Sequence, residues 1–163
     1  MSIQTVGIIG AGTMGNGIAQ ACAVSGVNVV MVDISEAAVA KGLTTVSGSL
    51  DRLIKKEKMT EADKATALSR IKGSTSYEDL KGAQLVIEAA TENEQIKIKI
   101  LQQLDQMLAP EVIIASNTSS ISITKLAATT SRADRFIGMH FFNPVPMMAL
   151  VEIIRGLQTS DAT

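Results

Sequence analysis

The segment that most restricts the fold is the run of residues 10–15, GAGTMG, which fits the pattern G-x-G-x-x-G. It directly follows the apolar run TVGII, whose β-branched residues favour a strand, and it opens a segment with helical character. The next apolar run, at 29–32, is followed at once by Asp33, 18 residues after Gly15. A strand, a glycine turn, a helix, a second strand and an acid in this order predict a unit that binds a dinucleotide.

Each part of that pattern has a physical role in holding a dinucleotide. Gly10 permits a tight turn, Gly12 lets the backbone approach a pyrophosphate, and Gly15 lets the helix pack closely on the strand. The free N–H groups at the start of the helix receive the phosphate charge. Asp33 accepts hydrogen bonds from ribose hydroxyls and repels the 2′-phosphate of NADP, which favours NAD. The predicted cofactor-binding residues of this segment are Gly10, Gly12, Thr13, Met14, Gly15 and Asp33.

The rest of the chain continues the alternation of apolar strands and helical segments. We predict strands at 5–9, 29–32, 85–88, 112–115, 136–139 and 150–154, and helices at 13–25, 36–58, 60–71, 94–108 and 123–128. The strands are apolar throughout, as in parallel strands covered by helices on both faces. The sequence therefore predicts a doubly wound α/β fold of the Rossmann type, with a mostly parallel sheet, over residues 1–163 as one domain.

Composition restricts the partners of the chain. The 163 residues carry 15 basic and 16 acidic side chains, a formal net charge of −1, which argues against a nucleic-acid partner held by bulk charge. One histidine and one cysteine argue against a zinc site, and Cys22 lies in an apolar run that favours a structural role. We see no secretory signal before the first predicted strand. No apolar run of the sequence is long enough to cross a bilayer. We therefore expect a cytoplasmic protein with neither a metal nor a membrane partner.

The only histidine, His140, lies in the stretch HFFNPVP, at the end of a predicted strand. Open α/β sheets bind ligands at the carboxyl ends of their strands. Glu152 lies in the apolar run LVEII, where an unpaired buried carboxylate would be costly. We predict that Glu152 pairs with one nitrogen of His140 and leaves the other free to act as a general base. A histidine that merely satisfies a core or loop contact is the alternative.

Five motifs together resemble the L-3-hydroxyacyl-CoA dehydrogenases. They are GAGTMG with Asp33, IEAATEN, ASNTSS, GMHFFNPVP and LVEII, and the resemblance covers essentially the whole chain. It implies NAD-dependent interconversion of a (3S)-3-hydroxyacyl-CoA and a 3-oxoacyl-CoA in fatty-acid metabolism, with a short acyl chain favoured. It also implies an acyl-CoA substrate as the partner.

The resemblance further implies a role for individual residues. His140 would be the catalytic base, Glu152 its orienting partner, and Ser119 a contact to the reacting oxygen of the substrate. Glu92, Lys97 and Asn117 would lie at the cofactor, and Ser49, Lys56 and Asn143 would lie at the CoA substrate. For Ser119 and Asn117 the alternative is a turn residue, and for Lys56 it is the solvated face of a helix.

Members of that family carry a second, helical domain, which supplies dimer contacts and part of the acyl pocket. The sequence corresponds to the cofactor-binding domain alone, so we expect cofactor binding, with turnover and the homodimer of the family left open. Two other functions also stay open. One is a dehydrogenase of a free hydroxy acid, and the other is an NAD-binding module without chemistry.

Overall fold

Seven strands and five α-helices alternate along residues 2–163, which are the residues that the computed structural model describes. The strands are β1 (Thr5–Ile9), β2 (Asn28–Val32), β3 (Ile71–Ser74), β4 (Leu85–Glu88), β5 (Ile113–Ser116), β6 (Phe136–Phe141) and β7 (Val151–Arg155). The helices are α1 (Thr13–Val24), α2 (Glu36–Lys55), α3 (Glu61–Ser69), α4 (Glu94–Met107) and α5 (Ile123–Ala127). Short 3₁₀ turns cover Tyr77–Leu80, Ala133–Arg135 and Val145–Met147.

All seven strands form one sheet in the order β3-β2-β1-β4-β5-β6-β7. The first six strands are parallel, and β7 runs antiparallel to β6 at one edge. The prediction of a mostly parallel, doubly wound α/β sheet is confirmed. Because the strand order reverses between β1 and β4, their carboxyl ends flank the point where ligands bind in such sheets.

Apolar side chains on the two faces of the sheet form two separate clusters. Ile8 of β1 packs with Ile18 of α1 on one face. Ile9, the next residue of β1, packs with Leu101 of α4 on the other face. This alternation is the two-residue period of a strand that is buried on both sides. The helices are thus divided between the faces, with α1, α2 and α3 opposite α4 and α5.

One strand and two helix ends differ from the sequence prediction, which was wrong there. Residues 71–74, IKGS, form the edge strand β3 and not the end of a helix, because α3 stops at Ser69. Edge strands are short and tolerate polar residues and glycine, so this segment carries no apolar pattern. Gly73 is needed there, since a Cβ atom would lie 2.4 Å from Val39 Cγ1. Helix α2 ends at Lys55, three residues before the predicted position.

Burial raises the pKa of the Cys22 thiol to about 11, so the thiol stays protonated at neutral pH and packs as a small apolar side chain. Within residues 2–163, no helix has both the length and the apolar character needed to cross a membrane.

Candidate active site

A groove runs along the sheet edge where the strand order reverses. Gly10 directly follows β1, and Ala89 directly follows β4. A Cβ atom at Gly10 would lie 2.6 Å from the carbonyl oxygen of Ala89, so the turn after β1 and the end of β4 are in close contact. The predicted dinucleotide segment therefore lies at the ligand-binding edge of the sheet.

The three glycines of the segment differ in what surrounds them. Gly10 has a φ of 109°, a conformation that side chains rarely adopt. A Cβ atom at Gly15 would lie 1.8 Å from the carbonyl oxygen of Gly10, so only glycine fits between helix α1 and strand β1. Nothing lies within 4 Å of a Cβ atom at Gly12, the N-cap of α1. Protein packing does not require a glycine there, but the open space suits the close approach of a pyrophosphate to the helix N-terminus.

Asp33 follows β2 and faces the same groove. Its Oδ2 accepts a hydrogen bond from the Ala11 N–H at 2.8 Å, and its Oδ1 accepts one from the Ile34 N–H at 2.6 Å. These contacts hold the carboxylate beside the glycine segment. Each carboxylate oxygen can accept a further hydrogen bond, so Asp33 keeps the capacity to bind ribose hydroxyls.

The groove has two lobes that share Gly10, Asp33 and Ala90. One lobe is a cavity of about 640 Å³ whose lining includes Tyr77 and Met107. Burial, and then the carboxylates of Glu88 and Asp33, raise the pKa of the Tyr77 phenol, which therefore remains a neutral hydrogen-bond donor. The other lobe measures about 330 Å³ and is lined by Gly12, Thr13, Met14, Ala89, Thr91, Glu92, Lys97 and Asn117. Two adjoining lobes of this size fit the two halves of a dinucleotide.

His140 and Glu152 form the predicted pair. They face each other across the antiparallel strands β6 and β7, and His140 Nδ1 lies 3.0 Å from Glu152 Oε1. An ionised carboxylate only accepts hydrogen bonds, so Nδ1 is the donor in this contact, and Nε2 of the neutral imidazole is the nitrogen that can accept a proton. The ring of Phe142 lies 4.5 Å from the imidazole, between centroids, and restricts its orientation.

The predicted burial of Glu152 was wrong. Glu152 is not buried: 51% of its side chain is exposed, against 20% for His140. β7 is the outer strand of the sheet, so its apolar neighbours Val151 and Ile153 are also exposed. The pairing arises from strand register, and not from the cost of burying a lone carboxylate.

The other predicted residues divide into two groups. Ser119 is exposed in the turn that follows β5, and β5 lies beside β6, the strand that carries His140. Asn117, at the end of β5, lines the smaller lobe. Ser49 on α2, Lys56 just after α2 and exposed Asn143 line neither lobe. The CoA contacts of that second group stay predictions.

Glu92 connects the smaller lobe to the turn that contains Ser119. Its Oε2 accepts hydrogen bonds from Thr118 Oγ1 at 2.9 Å and from Ser120 Oγ at 3.1 Å. These two residues flank Ser119 on either side. Glu92 therefore fixes the turn that presents the Ser119 hydroxyl, in addition to lining the smaller lobe.

The family of the chain follows from residues 5–163, which match the family described as "3-hydroxyacyl-CoA dehydrogenase, NAD binding domain". The chain belongs to this family. The match includes the glycine segment, Asp33 and the His140–Glu152 pair, so the predicted cofactor class, NAD, is confirmed.

Individual relatives support the assignment. The chain is 53% identical to a 3-hydroxybutyryl-CoA dehydrogenase of Bradyrhizobium diazoefficiens, over 99% of this chain and 55% of the relative. It is 44% identical to one of Mycobacterium tuberculosis, over 99% of this chain and 57% of the relative. The crystal structure of the (S)-3-hydroxybutyryl-CoA dehydrogenase of Ralstonia eutropha superposes with a TM-score of 0.98 at 79% identity, over 99% of this chain and 57% of that one. The chain thus spans about half the length of these relatives.

A buried ionic cluster that was not predicted from the sequence lies beneath the smaller lobe of this NAD-binding domain. Lys97 on α4 forms an ion pair with Glu88 at the end of β4, and both side chains are almost fully buried, at 1% and 0% exposure. Glu88 Oε1 also accepts a hydrogen bond from Ser116 Oγ at 2.9 Å, and Glu88 Oε2 accepts one from the Ala90 N–H at 2.9 Å. The cluster therefore joins β4, β5 and α4 directly under the groove.

A signal for Glu88 was present in the sequence. It is the only charged residue of the run LVIE, and a carboxylate in an apolar strand needs a buried partner. The same argument was applied to Glu152, where the structure does not support it. Lys97 was expected at the cofactor, and it does line the smaller lobe, but its ammonium group is committed to Glu88.

We expect Asp33→Asn to weaken NADH binding to this NAD-binding domain by about ten- to a hundredfold, because hydrogen bonds to a charged group contribute about 1.5–3 kcal/mol. The preference for NADH over NADPH should shrink, since the repulsion of the 2′-phosphate is lost. Fluorescence titration with both cofactors measures the two effects. Asp134→Asn, an exposed carboxylate outside the groove, is the matched control. An unchanged NADH affinity would remove Asp33 from the cofactor site.

Proposed function

We propose that this protein interconverts (3S)-3-hydroxyacyl-CoA and 3-oxoacyl-CoA with NAD, with 3-hydroxybutyryl-CoA as the favoured substrate. The observation that carries the proposal is the His140–Glu152 pair, which lies at the same carboxyl edge of the sheet as the NAD groove. A nucleotide-binding module needs no such pair. The names of the relatives from Bradyrhizobium diazoefficiens and Ralstonia eutropha support the substrate.

In the direction of oxidation, His140 Nε2 accepts the proton of the substrate 3-hydroxyl. Glu152 holds the Nδ1–H and stabilises the imidazolium cation that forms. General-base assistance of this kind contributes about 10²–10⁴-fold to the rate. In the reverse direction the same imidazolium returns the proton to the oxygen.

Ser119 donates a hydrogen bond to the reacting oxygen of the substrate and orients it between the base and the cofactor. Glu92 holds the turn of Ser119 through Thr118 and Ser120. NAD, when bound, supplies the hydride acceptor. Gly10–Gly15 of the glycine segment and Asp33 hold its adenosine and pyrophosphate portions, and Asn117 lies beside the other half of the groove.

Ser49, Lys56 and Asn143 are proposed contacts of the CoA portion. We also propose that residues 1–163 form the NAD-binding domain with the catalytic His140 and Glu152, in a cytoplasmic enzyme without a nucleic-acid or membrane partner.

Exposed apolar side chains lie on the edge strand β7 and in the segment just before it. They are Met147, Met148, Leu150, Val151 and Ile153. They agree with a homodimer or domain contact of the whole enzyme.

The function is tested by following NADH absorbance with the 163-residue chain and acetoacetyl-CoA, beside free acetoacetate. We expect oxidation of NADH with acetoacetyl-CoA and at least tenfold slower oxidation with acetoacetate, because the CoA portion contributes binding energy that the free acid lacks. A separate calorimetric titration measures NADH binding without substrate.

The outcomes separate the three functions. Equal rates with acetoacetate and acetoacetyl-CoA would favour a dehydrogenase of a free hydroxy acid. NADH binding without turnover of either compound, in this chain and in a chain extended to the length of its relatives, would favour a binding module and contradict the proposed reaction.

A further inference from the structure

Strands β5 and β6 separate next to the position of His140. They pair over three residues, with Ser116 opposite Gly138 as the last pair. β5 ends there, whereas β6 continues to Phe141. The part of β6 that carries His140 therefore has a partner strand on the β7 side and none on the β5 side.

The side chain of Asn117 takes the place of the missing strand. Its Oδ1 accepts a hydrogen bond from the Phe141 N–H at 2.9 Å, and both residues are buried. The backbone N–H of Asn117 donates to the carbonyl oxygen of Glu88 at 2.9 Å. Asn117 thus connects the end of β4, on one side of the NAD groove, with the residue that follows His140.

We propose that Asn117 is a positioning residue for His140, which fixes the distance between the NAD groove and the base. The inference rests on the proposed function. β7 holds the imidazole through Glu152, and Asn117 holds the neighbouring backbone from the opposite side. Asn117 also lines the smaller lobe of the groove, so one side chain contacts both parts of the site.

The position of His140 can be measured without substrate, because it is the only histidine in the chain and its imidazole NMR signals need no assignment. In the unaltered chain, we expect the Phe141 amide to be strongly protected from hydrogen exchange. Asn117→Ala should increase that exchange rate at least tenfold and shift or broaden the His140 signals. It should also lower kcat by about ten- to a hundredfold, beyond any change in the KM for NADH, because a base displaced by about 1 Å can cost that much.

Thr159→Val is the matched control. Thr159 Oγ1 donates a buried hydrogen bond to the Phe136 carbonyl oxygen at 2.8 Å, at the opposite end of the same strand. Both variants lose a buried hydrogen bond to β6 and should lower the melting temperature. Only Asn117→Ala should move the His140 signals. Equal disturbance of His140 by both variants would show general loosening of the strand and would overturn the proposal.

Two outcomes keep this inference distinct from the proposed reaction. If neither this chain nor a chain extended to the length of its relatives has turnover, but Asn117→Ala moves the His140 signals, positioning stands and the proposed reaction fails. If turnover is present and Asn117→Ala leaves the signals and kcat unchanged, the reaction stands and positioning fails. Should Asn117→Ala not fold, the unaltered chain still decides, because rapid exchange of the Phe141 amide would overturn the proposal.

Discussion

Replacing His140 with alanine should lower kcat for acetoacetyl-CoA reduction by about 10²–10⁴-fold and leave the affinity for NADH unchanged. The size follows from the loss of general acid–base catalysis at the reacting oxygen. The separation of the two effects follows from geometry, because His140 lines neither lobe of the NAD groove. Steady-state kinetics at saturating NADH and a calorimetric NADH titration measure the two quantities.

The controls for this prediction isolate the role of Glu152. Glu152→Gln keeps a hydrogen-bonding partner for His140 but removes the charge that stabilises imidazolium, so its rate should fall less than that of His140→Ala. Glu111→Gln removes an exposed carboxylate from the loop before β5 and should leave kcat unchanged. A rate for His140→Ala within threefold of the unaltered chain would contradict a catalytic His140.

The sequence predicted the features of the fold that follow local rules. The glycine segment could be placed because Gly10 and Gly15 sit where side chains cannot fit. The strands that are covered on both faces could be found because they are apolar throughout. β3 could not be found, since an edge strand of four residues with a lysine, a glycine and a serine has no apolar pattern.

Contacts of the candidate site could be predicted where they depend only on the positions of residues along two neighbouring strands. His140 and Glu152 face each other because β6 and β7 are adjacent in register. The bond from the Phe141 N–H to Asn117 depends on how far β5 and β6 diverge, which no local pattern encodes. Lys97 could not be assigned to Glu88 because it lies nine positions further along the chain, on a helix, and exposed lysines dominate such helices.

Glu88→Gln should be the most destabilising conservative substitution at the site, because it leaves the Lys97 ammonium buried without its counter-ion. Breaking a buried ion pair from one side typically costs about 3–5 kcal/mol. That is a large share of the roughly 5–15 kcal/mol by which domains are stable, so the variant should unfold at markedly lower urea concentration. Asp51→Asn breaks the more exposed pair with Lys64 and should cost about 1 kcal/mol or less.

The combined variant Glu88→Gln/Lys97→Met distinguishes the pair from its members. Removing both charges eliminates the unpaired ion, so the double variant should be more stable than Glu88→Gln alone. Urea denaturation measures this difference, and strictly additive losses would contradict a coupled pair.

NADH affinity of the double variant shows whether the charges also act on the groove. If the double variant regains stability but not NADH affinity, the charges also shape the groove through the Ala90 N–H, which donates a hydrogen bond to Glu88. If both return, the cluster serves only to support the sheet beneath the cofactor.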